Sequence, residues 1–378
     1  MNIKEMSKER KELLVMLANI PENDLSKVKK VLIKPSNHMK KGFVIPQNVA
    51  EKYKKLKAES NSIIGKSDAD DIKWCGYVEK LSTLNYQVPN IPANASDKEI
   101  YNTILKACID NDMPINFCVK ITSILLEYVK TGQSPPIILD GPPGCGKTES
   151  FKLICNIFDM ALHFIPATAI RRGRGIYGED KNYKSADIGN FVNGIIQTEV
   201  LNPVMLIDEI DKTVNVKDDI ALEDELLPIF NNKERMVTDN FLSFPISFEN
   251  SLFVFTCNDL SSLSEPFKDR CKIVRFEHTE EERMKRIIKK YAKKEMATYT
   301  DSLELDETLL YNAIEELYHN DVFSIRQHQS LFDEARINAY TEFLESDEET
   351  PVIINKTHYD KAIAEITKGK CKASRIGF

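Results

Sequence analysis

Residues 136–148, PIILDGPPGCGKT, decide the reading of this chain. An apolar run, Pro136 to Leu139, is short enough for a buried strand, and the stretch from Glu149 to Met160 has the character of a helix. Between them lies a glycine-rich loop, Gly141 to Thr148. Its glycines let backbone N–H groups approach phosphate oxygens, and the helix that follows adds the positive end of its dipole. Lys147 is expected to neutralise the β- and γ-phosphates and Thr148 to offer its hydroxyl to a magnesium ion. The phosphate cradle therefore comprises Gly141, Pro142, Pro143, Gly144, Cys145, Gly146, Lys147, Thr148 and Glu149.

Short apolar runs recur downstream, at 162–167, 204–207, 252–256 and 273–276, separated by helical stretches. Strands alternating with helices predict an α/β domain with a parallel sheet and helices on both faces. Upstream, Ser96 and Glu99 form a capping box that opens a helix through Ile104, Leu105 and Cys108. A second helix, from Pro114 to Lys130, is expected to stop at Gly132. After Phe276 the pattern turns helical. Thr279 with Glu282, Asp306, and Ser324 with Gln327 each mark a helix start, which predicts a small all-helical lid.

Two further segments carry chemistry. In PVMLIDEIDK, Pro203 to Lys212, four apolar residues end in two acids. A buried parallel strand presents its carboxyl end at the sheet edge where ligands bind. Asp208 is thus expected beside the magnesium ion, and Glu209 where it can orient and deprotonate an attacking water. In SLFVFTCN, Ser251 to Asn258, an apolar strand ends in an amide suited to bond both the γ-phosphate and that water; the bland reading is a turn asparagine.

The chain has 378 residues and is 42% hydrophobic, enough for a substantial core and for two or three domains. Its eight cysteines occur singly, without a C-x-x-C pair or a histidine at ligand spacing, so neither disulfides nor zinc is expected. Reduced thiols fit a cytoplasmic protein. The charged segment Met1 to Glu12 has no apolar signal core, and no stretch reaches the roughly 20 apolar residues of a membrane span. The formal net charge of −7 argues against general coating of nucleic acid. Lys27 to Lys57 is the exception, with ten lysines against the single acid Glu51. It reads either as a solvated face or as a surface for phosphates or an acidic partner. The segment 87–95, QVPNIPANA, reads as a linker. The expected domains are 1–96, a mainly helical target or partner domain; 97–276, the nucleotide-binding domain; and 277–378, the lid and tail.

Phosphate loop, acid-tipped strand and strand-terminal asparagine, in that order and followed by a helical lid, resemble the AAA+ ATPases. More narrowly, IGNFVNGIIQTEVLNPVMLIDEIDK (188–212) and DNFLSFPISFENSLFVFTCNDLSSLSEPFKDRC (239–271) are similar to the ATPase module of Lon-type proteases. The resemblance covers roughly 97–378. It implies ATP and Mg2+ as ligands, ATP hydrolysis, and a homo-oligomeric ring, a hexamer by the family's pattern. The short tail after the lid leaves no room for a Ser-Lys peptidase domain, so no protease activity is expected of this polypeptide. The resemblance further makes Arg270 an arginine finger reaching a neighbouring subunit's ATP, with Lys268 as the alternative, and Arg326 the lid arginine that senses the γ-phosphate.

Family unfoldases carry an aromatic pore loop near Arg171 to Asn190. Here its Tyr-hydrophobic-Gly order is displaced, with Asp187-Ile188-Gly189 in the aligned place. The gripping residue is then Tyr183, Phe191, Tyr177 or none, and the basic run Arg171, Arg172, Arg174 suits a nucleic acid instead. Three functions remain: a remodeller or unfoldase of a protein target chosen through residues 1–86, a nucleic-acid-associated ATPase resembling a clamp loader, and a nucleotide-gated scaffold.

Overall fold

The computed structural model describes residues 43–60, 69–91, 95–172, 175–183, 186–213, 221–277, 303–304, 306–320, 325–345 and 352–373. The apolar stretch Leu13 to Leu17, the lysines from 27 to 41, Arg174, and the helix starts expected at Thr279 and Ser324 lie outside them. Two compact units emerge: Met1–Gly141 with Lys147–Arg275, and Pro142–Gly146 with Phe276–Phe378.

The first unit opens with helices α1 (Gln47–Ser60), α2 (Ala69–Thr83), α3 (Asp97–Asp110) and α4 (Ile115–Thr131). The expected capping box starts α3: the Glu99 carboxylate accepts the Ser96 N–H at 2.6 Å, and the Ser96 hydroxyl accepts the Glu99 N–H. Gly132 ends α4 in the left-handed region (φ 74°), its N–H donating to Tyr128 O, as a helix-terminal glycine does at no steric cost.

Next come β1 (Ile137–Asp140), α5 (Lys147–Ile157), β2 (Leu162–Pro166), α6 (Ala167–Arg172), α7 (Asn190–Thr198), β3 (Val204–Asp208) and α8 (Leu222–Phe230). The unit continues with β4 (Met236–Asp239), β5 (Phe244–Ser247), β6 (Leu252–Cys257), α9 (Glu265–Asp269) and β7 (Lys272–Arg275). Five strands form one sheet in the order β2-β3-β6-β1-β7, all neighbours parallel. Every residue of β6 is buried, the expectation for a central strand covered on both faces. Because the strands are parallel, the carboxyl ends of β1, β3 and β6 share one edge of the sheet.

Sequence reading did not find the antiparallel hairpin β4–β5. Its alternation is present, with Val237 and Asp239 buried between the exposed Met236 and Thr238, but a carboxylate occupies an inward position. Asp239 is fully buried. It accepts N–H groups from Gly189 (2.7 Å) and Leu242 (2.9 Å), and burial still pushes its carboxyl up to about 6.

The core of this unit crosses the boundary expected at residue 96. Trp74, Val78 and Leu81 of α2 belong to the same buried cluster as Phe191, Phe253 and Phe255. The Trp74 indole donates to Leu242 O at 2.9 Å. The presumed linker is likewise bonded in its described part: Gln87 exchanges hydrogen bonds with the Asn202 side chain, and Asn90 N–H donates to Phe158 O. Proline and asparagine removed the periodicity there without removing the contacts.

The second unit contains β8 (Leu303–Glu304), α10 (Glu307–His319), α11 (Ile325–Glu345), β9 (Val352–Ile353) and α12 (Lys356–Ala373). Asp306 caps α10 as expected, accepting the Thr308 N–H at 2.8 Å. Leu310, Ile314, Leu317, Phe332 and Tyr359 are among the buried side chains that hold α10, α11 and α12 together. The strands do not stop entirely at Phe276, since β8 and β9 form a two-residue parallel pair.

Candidate functional site

The loop after β1 needs backbone conformations that L side chains resist, and its glycines sit where those occur: Gly144 has φ 73° and Gly146 φ 99°. Helix α5 begins at Lys147, so the lysine and Thr148 occupy its first turn. Lys147 is buried, and its ammonium donates to Gly141 O at 2.7 Å and to Asn258 Oδ1 at 2.9 Å. The end of β6 is thereby tied to the start of α5. Gly141 N–H donates to Cys257 O, continuing the β1–β6 ladder to the loop.

Asp208, the last residue of β3, receives two hydroxyls on one oxygen. Thr148 Oγ1 and Thr256 Oγ1 each donate to Asp208 Oδ1 at 2.6 Å. Residue 209 then turns out of the strand: Glu209 has φ 58°, a left-handed conformation costing a non-glycine residue about 1–2 kcal/mol. Its N–H donates to Thr256 Oγ1 at 2.9 Å, and its carboxylate pairs with Lys212 at 2.6 Å. Gly141, Lys147, Thr148, Asp208, Glu209 and Asn258 thus converge at the carboxyl edge of the sheet. Glu149 faces Lys152 at 3.0 Å in an ordinary helical pair.

The donor set suits a hard cation. A hydroxyl and a carboxylate oxygen 2.6 Å apart are both oxygen ligands of the kind magnesium takes, with phosphate oxygens and waters completing such shells. Thr148 and Asp208 would hold the ion; Lys147 and the glycine loop match polyphosphate.

Arg270 ends α9, partly exposed. Its Nε donates to Asn231 Oδ1 at 2.5 Å and its Nη1 to Pro266 O at 2.6 Å, so both bonds are to groups outside the Lys147–Asp208 cluster. Its rival Lys268 is paired with Glu265 at 2.7 Å, within its own helix. Arg326 lies in the first turn of α11. The three aromatic candidates for a gripping residue separate clearly. Phe191 is fully buried against Phe248 and Phe253, so it serves the core and cannot touch a ligand. Tyr177 is half-buried, its hydroxyl donating to Glu225 O at 3.1 Å. Tyr183 is 68% exposed.

Sequence reading missed Thr256, which links Asp208 to Glu209. The available signal was a hydroxyl inside an otherwise apolar strand. It also missed the anchoring of residues 177–183 and 186–189 by α2: Lys73 pairs with Asp187 at 2.9 Å, Tyr77 OH donates to Asp187 at 2.6 Å, and Lys181 meets Asp71 at 3.2 Å. Burial raises the Asp187 carboxyl, but the bonds from Tyr77 and Lys73 and the N–H of Ile188 outweigh it and hold the group below its usual range.

A central strand, a glycine loop opening a helix, and an acid-tipped parallel strand beside them define the phosphate-loop class of α/β proteins. Within that class, the model of the AAA family, "ATPase family associated with various cellular activities", matches residues 137–278, and this stretch of the chain is an AAA domain. The family implies ATP hydrolysis.

Among curated proteins, the chain is similar to Lon protease of Clostridioides difficile (strain 630), 31% identical over 207 residues, 52% of this chain and 26% of the relative. It is also similar to the peroxisomal Lon protease homolog 2 of Eremothecium gossypii, 31% identical over 159 residues, 40% of this chain and 16% of the relative. The mitochondrial Lon protease homolog of Yarrowia lipolytica is 25% identical over 395 residues, 98% of this chain and 32% of the relative. The chain thus spans no more than about a third of the length of these relatives. Two of them are named for compartments other than the cytoplasm expected from the thiols. Cys75, Cys108, Cys118, Cys145, Cys155, Cys257 and Cys271 form no disulfide, and no described helix is long and apolar enough to cross a membrane.

Proposed function

We propose that this protein is a magnesium-dependent ATPase that works as a homo-oligomer to remodel or unfold a protein target. The observation that carries the reading is the meeting of residues from three separate segments: Thr148 on Asp208, and Lys147 on Asn258. A bound magnesium ion would supply charge neutralisation of the triphosphate. The chain's own groups do the rest. Lys147 binds the terminal phosphates and neutralises charge growing on them. Glu209 orients the attacking water and takes its proton, and Asn258 fixes the water and the γ-phosphate. Arg270 serves the neighbouring subunit's nucleotide, and Arg326 signals loss of the phosphate to the C-terminal helices. A protein target is favoured over nucleic acid because basic side chains of the described N-terminal helices are already engaged. Lys57 pairs with Glu79, Lys52 covers Trp74, and Lys73 pairs with Asp187. Tyr183 is the residue available to grip a polypeptide.

Turnover of ATP by the purified chain tests the reading. Lys147→Ala should abolish nucleotide binding, and Glu209→Gln should keep binding and lose hydrolysis. Unchanged turnover in Glu209→Gln refutes the mechanism, and absence of turnover in the wild type under assembled conditions favours the scaffold. Binding to DNA or RNA that falls steeply with salt would favour the clamp-loader-like alternative.

A further inference from the structure

We infer that Thr256 is a positioning residue for hydrolysis, setting both acids of the site through one hydroxyl. The inference rests on the proposed ATPase reading and assigns a role to a residue which that reading does not use.

The strand register brings it there. β3 and β6 pair in parallel with Ile207 beside Phe255, so the next residues, Asp208 and Thr256, lie side by side at the carboxyl ends of their strands, Thr256 still paired with Leu139 of β1. Thr256 is 1% exposed, in a strand buried along its whole length, and a buried hydroxyl needs partners. It has one hydrogen to donate and lone pairs to accept with. The hydrogen goes to Asp208 Oδ1 at 2.6 Å, and a lone pair takes the Glu209 N–H at 2.9 Å. These two bonds act on consecutive residues. The first, with the matching bond from Thr148, fixes the rotation of the Asp208 carboxylate. The second holds the peptide of Glu209 in the left-handed conformation that turns the chain out of β3 and aims the Glu209 side chain.

Lys147 makes neither bond, so binding and chemistry separate. Removing the hydroxyl leaves the lysine its bonds to Gly141 O and Asn258 and loosens the acids. Misplacement of a reacting group by about 1 Å costs on the order of a hundredfold in rate.

The test compares Thr256→Val, Thr256→Ala and Thr256→Ser with the wild type and with Glu209→Gln. Three readouts are needed: ATP turnover, the Kd for ADP without magnesium, and the magnesium concentration that half-saturates the tightening of ADP binding. The Val and Ala variants should lose about ten- to a hundredfold in kcat. They should bind magnesium-free ADP within about threefold of the wild type and need more magnesium to tighten it. Ser, which keeps the hydroxyl, should restore all three values. If Val unfolds, the Ala and Ser pair decides. Wild-type kcat in a folded Val or Ala variant overturns the inference, as does a Ser variant as impaired as Ala. Failure of the ATPase reading looks different: Glu209→Gln would then match the wild type as well.

Discussion

Gly189→Ala probes how tightly the loop before α7 is built, and its cost can be worked from geometry. Gly189 has an ordinary φ of −71°, so its backbone conformation does not demand glycine. Space does. A Cβ at this position would lie 2.0 Å from Ile176 O and 2.6 Å from Gly178 N, both backbone atoms that no rotamer change can remove. One strand of loop must move off the other. That movement strains the bond from Gly189 N–H to the buried Asp239 carboxylate, 2.7 Å long. Overpacking costs about 1–3 kcal/mol, and a hydrogen bond to a charged group contributes about 1.5–3 kcal/mol. The expected destabilisation is therefore about 3–5 kcal/mol. Urea unfolding followed by fluorescence of Trp74, which donates to Leu242 O beside the same hairpin, reads it directly. A midpoint shift equivalent to less than about 1 kcal/mol would show that the two loop strands separate freely and that the close approach is incidental.

Asp239 sets a pH dependence. Its folded carboxyl titrates near 6, above the ordinary value of 3.8, because burial outweighs its N–H donors. The folded state therefore binds the extra proton: this group's contribution to stability is greatest below pH 3.8 and is lost as pH rises through 6, by about 3 kcal/mol at about 1.4 kcal/mol per unit. The difference in unfolding free energy between wild type and Asp239→Asn should change across that window, and a constant difference from pH 3.5 to 7 refutes it. Trp74→Phe removes the donor to Leu242 O and leaves a buried carbonyl unmet, an expected loss of about 1–3 kcal/mol in urea unfolding; an unchanged midpoint would mean that the carbonyl finds another donor. Arg270→Ala should keep ATP binding and lose about 10³-fold or more in turnover. Activity regained on mixing it with Glu209→Gln subunits would establish sharing between subunits, and full turnover in the single variant would show the finger to be misassigned.

The legible parts of the molecule are those whose physics is local. A glycine loop between an apolar run and a helix has one economical use, and Ser96 with Glu99 or Gly132 announces a helix end within four residues. Residues 186–189 were illegible for the opposite reason. Their conformation depends on Lys73 and Tyr77, more than a hundred residues earlier, and on Asp239, fifty residues later. The hairpin was missed because Asp239 breaks the apolar alternation inward and Pro245 weakens the second strand, while burial and partner N–H groups decide the outcome.

From sequence alone follow the five strands, their parallel character, the phosphate loop and the pair of acids, because strand length, hydrophobic periodicity and glycine backbone freedom act over a few residues. Tertiary structure decided the strand order, the burial of Phe191 against the exposure of Tyr183, and the role of Thr256. Those depend on which distant segments become neighbours, and neighbours, rather than residue type, determine whether an aromatic ring packs or projects and which hydroxyl reaches an acid.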